Sequence, residues 1–323
     1  MAADPLSDLL KTVRLTGAVF FEIAAQDPWA VASPARELIL PKILPGADHL
    51  IAYHVVTAGR CFATAAGGQP ISLEAGEVIV FTNGQPHVMS SRPDLRADPP
   101  TPDVIEVAAA GKKPFRINYG GGTVSTELVC GYLACDSRPF NPLLENLPPV
   151  ITAGDPRNNG TGWIPQFIRF AVAEAAEKHA GGESVLTKLS ELMFIDVVRR
   201  HLETLAPEKT GWLAGLRDPF IGKALSLMHE KPSHDWTIED LAKQAGLSRS
   251  VLAERFAGLV GIPPMHYLAK WRIQIASELL TSSNANIARI ATETGYGSEE
   301  SFSRAFKKMV GVAPSAWRRR DRS

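Results

Sequence analysis

Two sets of residues in this 323-residue chain have types and spacings suited to chemistry. The first lies towards the C-terminus and occurs twice. Ser248 is followed by Arg249, Ser250, Ala253 and Glu254, and Ser298 by Glu299, Glu300, Ser303, Arg304 and Lys307. An arginine can bridge O6 and N7 of a guanine, and a carboxylate can accept from N4 of a cytosine. A serine that opens a helix stands beside backbone amides able to hold a phosphate. Lys307, Lys308 and Arg318 add charge that phosphates attract. The second set is His54 and His87 with Cys61, Cys130 and Cys135. Imidazoles ligate divalent metals, and an exposed thiol of lowered pKa can sense oxidants. Each has a plainer reading: solubilising surface charge, histidines hydrogen-bonded inside a core, and cysteines packed as small apolar residues.

The first set sits inside an internal repeat. One copy runs Ile238, Leu241, Ala242, Gly246, Ser248, Leu252, Phe256, Gly261, Pro264. The other runs Ile287, Ile290, Ala291, Gly295, Ser298, Phe302, Phe306, Gly311, Pro314. The offset is 49 before the turn and 50 after it, so the second turn holds one extra residue. A fixed offset over so many positions is hard to obtain by chance. In each copy Ile, Leu or Ile, and Ala form the inner face of a short helix. A glycine follows where a left-handed cap is needed. A serine then caps a second helix, buried through Leu252 and Phe256 or through Phe302 and Phe306. This is helix-turn-helix chemistry, spanning about residues 236–258 and 285–310. A single copy would be matched by any packed α-hairpin; two copies with matched glycines and caps, followed by Arg318-Arg319-Arg320, are not. Between them, Leu268, Trp271, Ile275 and Leu279 mark one stripe of a long helix from Pro264 to Thr281. Such a rod, about 27 Å long, suits two reading helices about one DNA turn, roughly 34 Å, apart.

These residues resemble the AraC/XylS family of transcription regulators. The second copy carries most of the likeness, from Ile287 through Gly295-Tyr296, Phe302, Arg304, Phe306-Lys307 and Gly311 to Pro314. The resemblance covers about residues 217–320. It implies two helix-turn-helix subdomains joined by a long helix. It also implies that the residues after Ser248 and Ser298 face the major groove of a promoter operator, with RNA polymerase a candidate partner.

The N-terminal half reads as β-structure from residue 50 to about 135. Short apolar runs such as Leu50–Tyr53, Val78–Phe81 and Glu127–Val129 alternate with turn clusters at Gly67-Gly68, Asn83-Gly84 and Gly120–Gly122. That spacing suggests a sandwich or barrel. Gly76-Glu77, then Thr82-Asn83-Gly84 and His87, together with His54 and Gly59-Arg60-Cys61-Phe62, resemble a cupin-type sensor domain of one AraC subgroup. Cys130-Gly131, Pro142–Leu144 and Leu147–Pro149 add to the match, over about residues 12–152. A cupin metal site needs about three protein ligands; His54 and His87 supply two, with Cys61, Glu74 or His49 as a distant third.

Apolar residues at helical spacing from Ile164 to Val172 and from Val185 to Leu202 predict two connecting helices suited to dimer contact. Pro207 to Gly215 reads as a linker. The fold class is therefore α+β. Residues 1–160 form a cupin-like sensor, 161–213 a helical connector, and 214–323 a DNA-binding domain. Residues 214–323 hold 16 Lys+Arg against 11 Asp+Glu, so the basic excess sits where a polyanion would bind. No apolar run approaches the ~20 residues that span a bilayer. Met1–Leu10 lacks a basic apolar leader, and three cysteines make no disulfide framework. A cytoplasmic homodimer is expected. The function expected is sequence-specific DNA binding by a regulator, an activator by family habit, that answers a small molecule, oxidant or metal at the cupin domain. The alternative is a metal-dependent cupin enzyme with accessory helices.

Overall fold

Alternating apolar residues and glycine-rich turns curl the first half of the chain into a β-sheet, and amphipathic segments make the second half helical. The computed structural model describes residues 4–12, 15–43, 47–98, 115–135, 139–154, 182–205 and 210–320, with three single positions between 166 and 173. The strands are β1 (Leu15–Gln26), β2 (Ala30–Ser33), β3 (His49–Ala65), β4 (Ile71–Glu74), β5 (Val78–Phe81), β6 (His87–Ser90), β7 (Phe115–Tyr119), β8 (Val124–Cys135) and β9 (Val150–Ala153). The helices are α1 (Pro5–Thr12), α2 (Arg36–Ile43), α3 (Pro142–Asn146), α4 (Gly182–Thr204), α5 (Trp212–Arg217), α6 (Pro219–Glu230), α7 (Ile238–Ala245), α8 (Arg249–Val260), α9 (Pro264–Ser282), α10 (Ile287–Glu293), α11 (Glu299–Val310) and α12 (Pro314–Arg320). The α+β expectation holds.

The chain forms two compact units. One is Leu15–Asp136 with Leu147–Thr204; the other is Met1–Arg14 with Ser137–Asn146 and Leu205–Ser323. The units thus interleave along the chain, whereas three consecutive stretches were expected.

In the β unit the strands follow the order β2-β6-β3-β8-β1-β7, with β4 and β5 also on β3, and β9 on β5. The long β3 passes from β5 and β8 to β4 and β6. Its register shifts between Val56 and Ala58, just before that change of partners. Buried Leu50, Ala52, Val56, Ile79, Phe81, Leu128 and Tyr132 form the interior. Strand structure begins at Leu15, well before the expected residue 50; β1 is an apolar run that periodicity alone does not assign to strand or helix. The helix expected over 185–202 is α4, which packs on β1 and β9. Met193, Phe194, Val197 and Val198 are buried, while Leu192, expected on the inner stripe, is 54% exposed. The helix expected at 164–172 lies outside the described residues.

In the helical unit the two repeat copies become α7–α8 and α10–α11. Buried Phe302 and Phe306 pack with Ile290, Ala291, Ile273 and Leu280. The long helix α9 is buried more broadly than one stripe: Tyr267, Leu268, Trp271, Ile273, Ala276 and Leu280 are enclosed, and Ile275 and Leu279 only partly. It serves two cores, so its inner surface wraps round the helix. The expected linker contains α5, too short for a periodic signal. Its Trp212 is buried and donates through Nε1 to the Tyr267 hydroxyl at 2.8 Å. Phe140, just before α3, stands edge-on to Tyr267, and its amide donates to Gln274 Oε1 at 3.0 Å.

Phe306→Ala would empty a site enclosed by Phe302 and Trp317. We expect a loss of about 3–5 kcal/mol in urea unfolding of the helical unit; a change below about 1 kcal/mol would contradict this packing.

Candidate functional site

Each repeat copy presents its second helix by the same local device. The first helix ends with a backbone amide reaching back five residues: Leu247 N–H to Ala242 O, and Tyr296 N–H to Ala291 O, both 2.9 Å. Gly246 and Gly295 provide the left-handed backbone this needs, at φ +83° and +81°. The small Ala242 and Ala291 are buried where the helices cross. Ser248 Oγ then accepts from Val251 N–H at 3.4 Å, and Ser298 Oγ from Ser301 N–H at 3.1 Å, opening α8 and α11.

The exposed faces of those helices carry the residues singled out from the sequence. Arg249, Ser250 and Glu254 are exposed on α8, and Ala253 is half-buried. Glu299, Glu300, Arg304 and Lys307 are exposed on α11, and Ser303 is half-buried. Arg249 pairs with Glu239 at 2.8 Å, both well exposed, a contact of small worth that phosphate or base can replace. Val251, 44% exposed on the same face of α8, was missed. A valine in a helix reads as core, yet here it lies on the exposed face. Arg318, expected at a phosphate, is also bonded within the fold. It donates to Leu280 O at 3.3 Å and to Ala285 O at 2.5 Å, bracing the end of α9.

In the β unit His54 and His87 do meet, but through hydrogen bonds. His87 Nδ1 faces Gln85 O at 2.8 Å, so it must donate and leaves Nε2 to accept. His54 Nε2 donates to that nitrogen at 2.6 Å, and His54 Nδ1 accepts from the Cys130 thiol at 2.8 Å. Both imidazoles are neutral in this chain of bonds. Burial holds His87 down at about 4 and, with the neighbouring His87, holds His54 well below its ordinary value. The donor set does not fit a resident metal. Both facing nitrogens are spent on each other, His49 is turned to Thr82 O at 2.6 Å, and no three metal-ligating side chains converge among the described residues. Cys61, Cys130 and Cys135 are buried and form no disulfide. Burial pushes Cys61 up to about 12 and Cys130 well above its usual range, the opposite of a reactive thiolate.

Beside His54 lies a small, partly open apolar pocket with a cavity volume of about 40 Å3. Phe21, Ile23, Ile39, Met89 and Ile117 line it, with Ser33, Tyr119 and Tyr132 as further polar members and no charged side chain. Strand alternation marks these residues as interior and says nothing of the empty space between them.

Two helix-turn-helix motifs in one unit and a cupin-like sheet in the other define the class: a DNA-binding transcription regulator with a cupin N-terminal domain. A family model described as Cupin matches residues 4–203, and one described as Helix-turn-helix domain matches residues 241–320. The chain is 32% identical over 329 residues to a putative AraC-like transcription regulator of Streptomyces antibioticus, covering 98% of each. It is 28% identical over 317 residues to the HTH-type transcriptional regulator AlkR of Acinetobacter baylyi, covering 98% of this chain and 99% of that one. Among solved structures, the C-terminal domain of AraT, a response regulator from Geobacillus stearothermophilus, is 35% identical. It covers 32% of this chain and 85% of that chain at a TM-score of 0.31. The chain belongs to the AraC-like family of transcription regulators. It is a regulator and not an enzyme, which sets the cupin-enzyme alternative aside. No helix among the described residues is long and apolar enough to cross a membrane.

An imidazole in the unfolded chain titrates near 6.5, whereas His87 in the fold titrates near 4 and His54 well below 6.5. The unfolded state therefore binds more protons between about pH 6.5 and 4, and the β unit loses stability as pH falls through that window. Opening free energies of the β3 and β8 amides, from hydrogen exchange corrected for intrinsic rates, should drop from pH 7 to pH 5. Constant values across that range would contradict the neutral histidine pair.

Proposed function

We propose that the protein binds a two-part promoter operator through α8 and α11, as an activator whose DNA binding answers an effector held in the β unit. The observation that carries the reading is the duplicated glycine turn and serine cap, which offers two similar exposed helix faces on one unit. Ser248, Arg249, Ser250, Ala253 and Glu254 are the reading residues of the first helix. Ser298, Glu299, Glu300, Ser303, Arg304 and Lys307 are those of the second. Arg304 is the foremost base contact and Lys307 a phosphate contact. The working protein is a cytoplasmic homodimer that engages RNA polymerase; exposed Leu192 on α4 supports a contact between copies.

Mobility shift against the protein's own upstream DNA, over a salt series, tests the reading. Arg304→Ala should weaken specific binding by about 5–150-fold, equivalent to roughly 1–3 kcal/mol. Lys307→Ala should weaken all duplexes alike and lower the salt slope by about one. Equal affinity for operator and scrambled duplex would sink sequence-specific reading.

The pocket supports an uncharged, mainly apolar effector. It offers no counter-ion, and both His54 nitrogens are already engaged. Ser33 and Tyr132 share one hydrogen bond at 3.2 Å, leaving one hydroxyl hydrogen to donate. A medium-chain ketone should therefore raise the melting temperature of the protein where the matching carboxylate does not. Tyr132→Phe should cost the ketone about 5–10-fold in affinity. A carboxylate that binds as well as the ketone would overturn the assignment.

A further inference from the structure

The second helix-turn-helix meets the first at one guanidinium. Arg272 lies midway along α9, the helix shared by both. Its Nε donates to Pro232 O and its Nη2 to His234 O, each at 2.7 Å. Those carbonyls belong to the turn between α6 and α7, which leads into the first copy. That turn is closed on itself by His234 N–H to Lys231 O at 3.2 Å and by Trp236 Nε1 to Lys231 O at 2.9 Å. On its other side the guanidinium lies against Gly295, in the second copy's turn. A Cβ there would stand 2.9 Å from Arg272 Cζ and Nη2, and 2.8 Å from Ser233 Cα. Turn, guanidinium and turn are thus stacked with no room for a methyl group.

The matching position in the first copy supplies the contrast. Gly246 has the same left-handed backbone, yet its nearest neighbours would be Phe220 ring atoms at 3.9 and 4.0 Å. Gly246 is required for its φ alone. Gly295 is required for its φ and for the close approach to Arg272 and Ser233. A forked cation on two carbonyls is held in both distance and plane, which a lysine could not reproduce.

We propose that Arg272 is a positioning residue that clamps the two helix-turn-helix units into a single reader of fixed geometry, so that the protein accepts one spacing between its two half-sites. The proposal rests on the reading that both α8 and α11 contact DNA. Each inserted base pair turns one half-site by about 35° and moves it about 3.4 Å. A clamped reader cannot follow, whereas units joined by α9 alone can twist.

The test uses the full-length protein and a duplex it has itself selected from a random library. Further versions of that duplex carry one or two base pairs inserted between the half-sites, and another has one half-site scrambled. Wild type should lose about 100-fold or more on the two-base-pair insertion, comparable to losing a half-site's contacts. Arg272→Leu should bind the native spacing more weakly but lose no more than about threefold on the insertion, because the insertion penalty reports geometry and not stability. Gly295→Ala should behave like Arg272→Leu. Gly246→Ala, with the same backbone strain, should keep the wild-type penalty. Should Arg272→Leu fail to fold, the contrast between the two glycine variants decides the same question. An unchanged insertion penalty in Arg272→Leu and Gly295→Ala, with wild type protecting two major grooves in a footprint, would overturn the clamp alone. A wild-type footprint confined to one groove would overturn the two-unit reading on which it rests.

Discussion

The reading surface depends on how closely two helices can be brought together at a turn. In both repeat copies an alanine at the crossing and a glycine of positive φ allow an amide to reach back five residues. A larger residue at Ala242 or Ala291 would push the second helix outward, and a side chain at either glycine would strain the backbone. Once that turn is closed, the serine cap starts the next helix, Leu252 and Phe256 or Phe302 and Phe306 face inward, and the polar residues between them face out. The exposed positions of α8 and α11 are a geometric consequence of the turn. Duplicating the turn duplicates the face, and α9 carries both because its buried surface is broad enough to serve two cores.

A different constraint organises the β unit. His54, His87 and Cys130 lie buried, where a polar group needs a partner within the protein. The sequence of bonds from the Gln85 carbonyl through His87 and His54 to the Cys130 thiol settles every proton position and leaves no charge. The same burial that keeps the histidines neutral keeps the thiols protonated. What remains beside this satisfied chain is apolar space, and that is why the unit suits occupancy by a neutral molecule better than metal ligation or thiol chemistry.

The helical unit was legible in the sequence because its signals are local and repeated: glycine, cap and apolar positions within one turn of each other, written twice. The β unit was legible only in outline. The run Val78–Phe81 marks β5, but β1, continuous and apolar, has no period that separates strand from helix. His54 and His87 were chosen for their chemistry, and the structure joins them, yet the bond between their ring nitrogens depends on the pairing of β3 with distant strands. Arg318 reads in sequence as a phosphate contact, and its carbonyl partners, Leu280 and Ala285, lie more than thirty residues back, out of reach of any local pattern. Ser33 and Tyr132, which supply the pocket's free hydroxyl, are 99 residues apart and meet only across the folded sheet.

The two units interleave along the chain, so the strands of the β unit are interrupted by residues that pack in the helical unit. Strand β8 carries Tyr132 at the pocket and ends at Cys135; the chain then enters the helical unit for Ser137–Asn146 before returning to the β unit at Leu147. Within that excursion Phe140 is held by Tyr267, Gln274 and Lys270, all on α9. Asn146 accepts from the amide of Trp212 at 3.0 Å, and Trp212 in turn bonds Tyr267. The stretch between β8 and β9 is thus anchored on the helix that both repeat copies share.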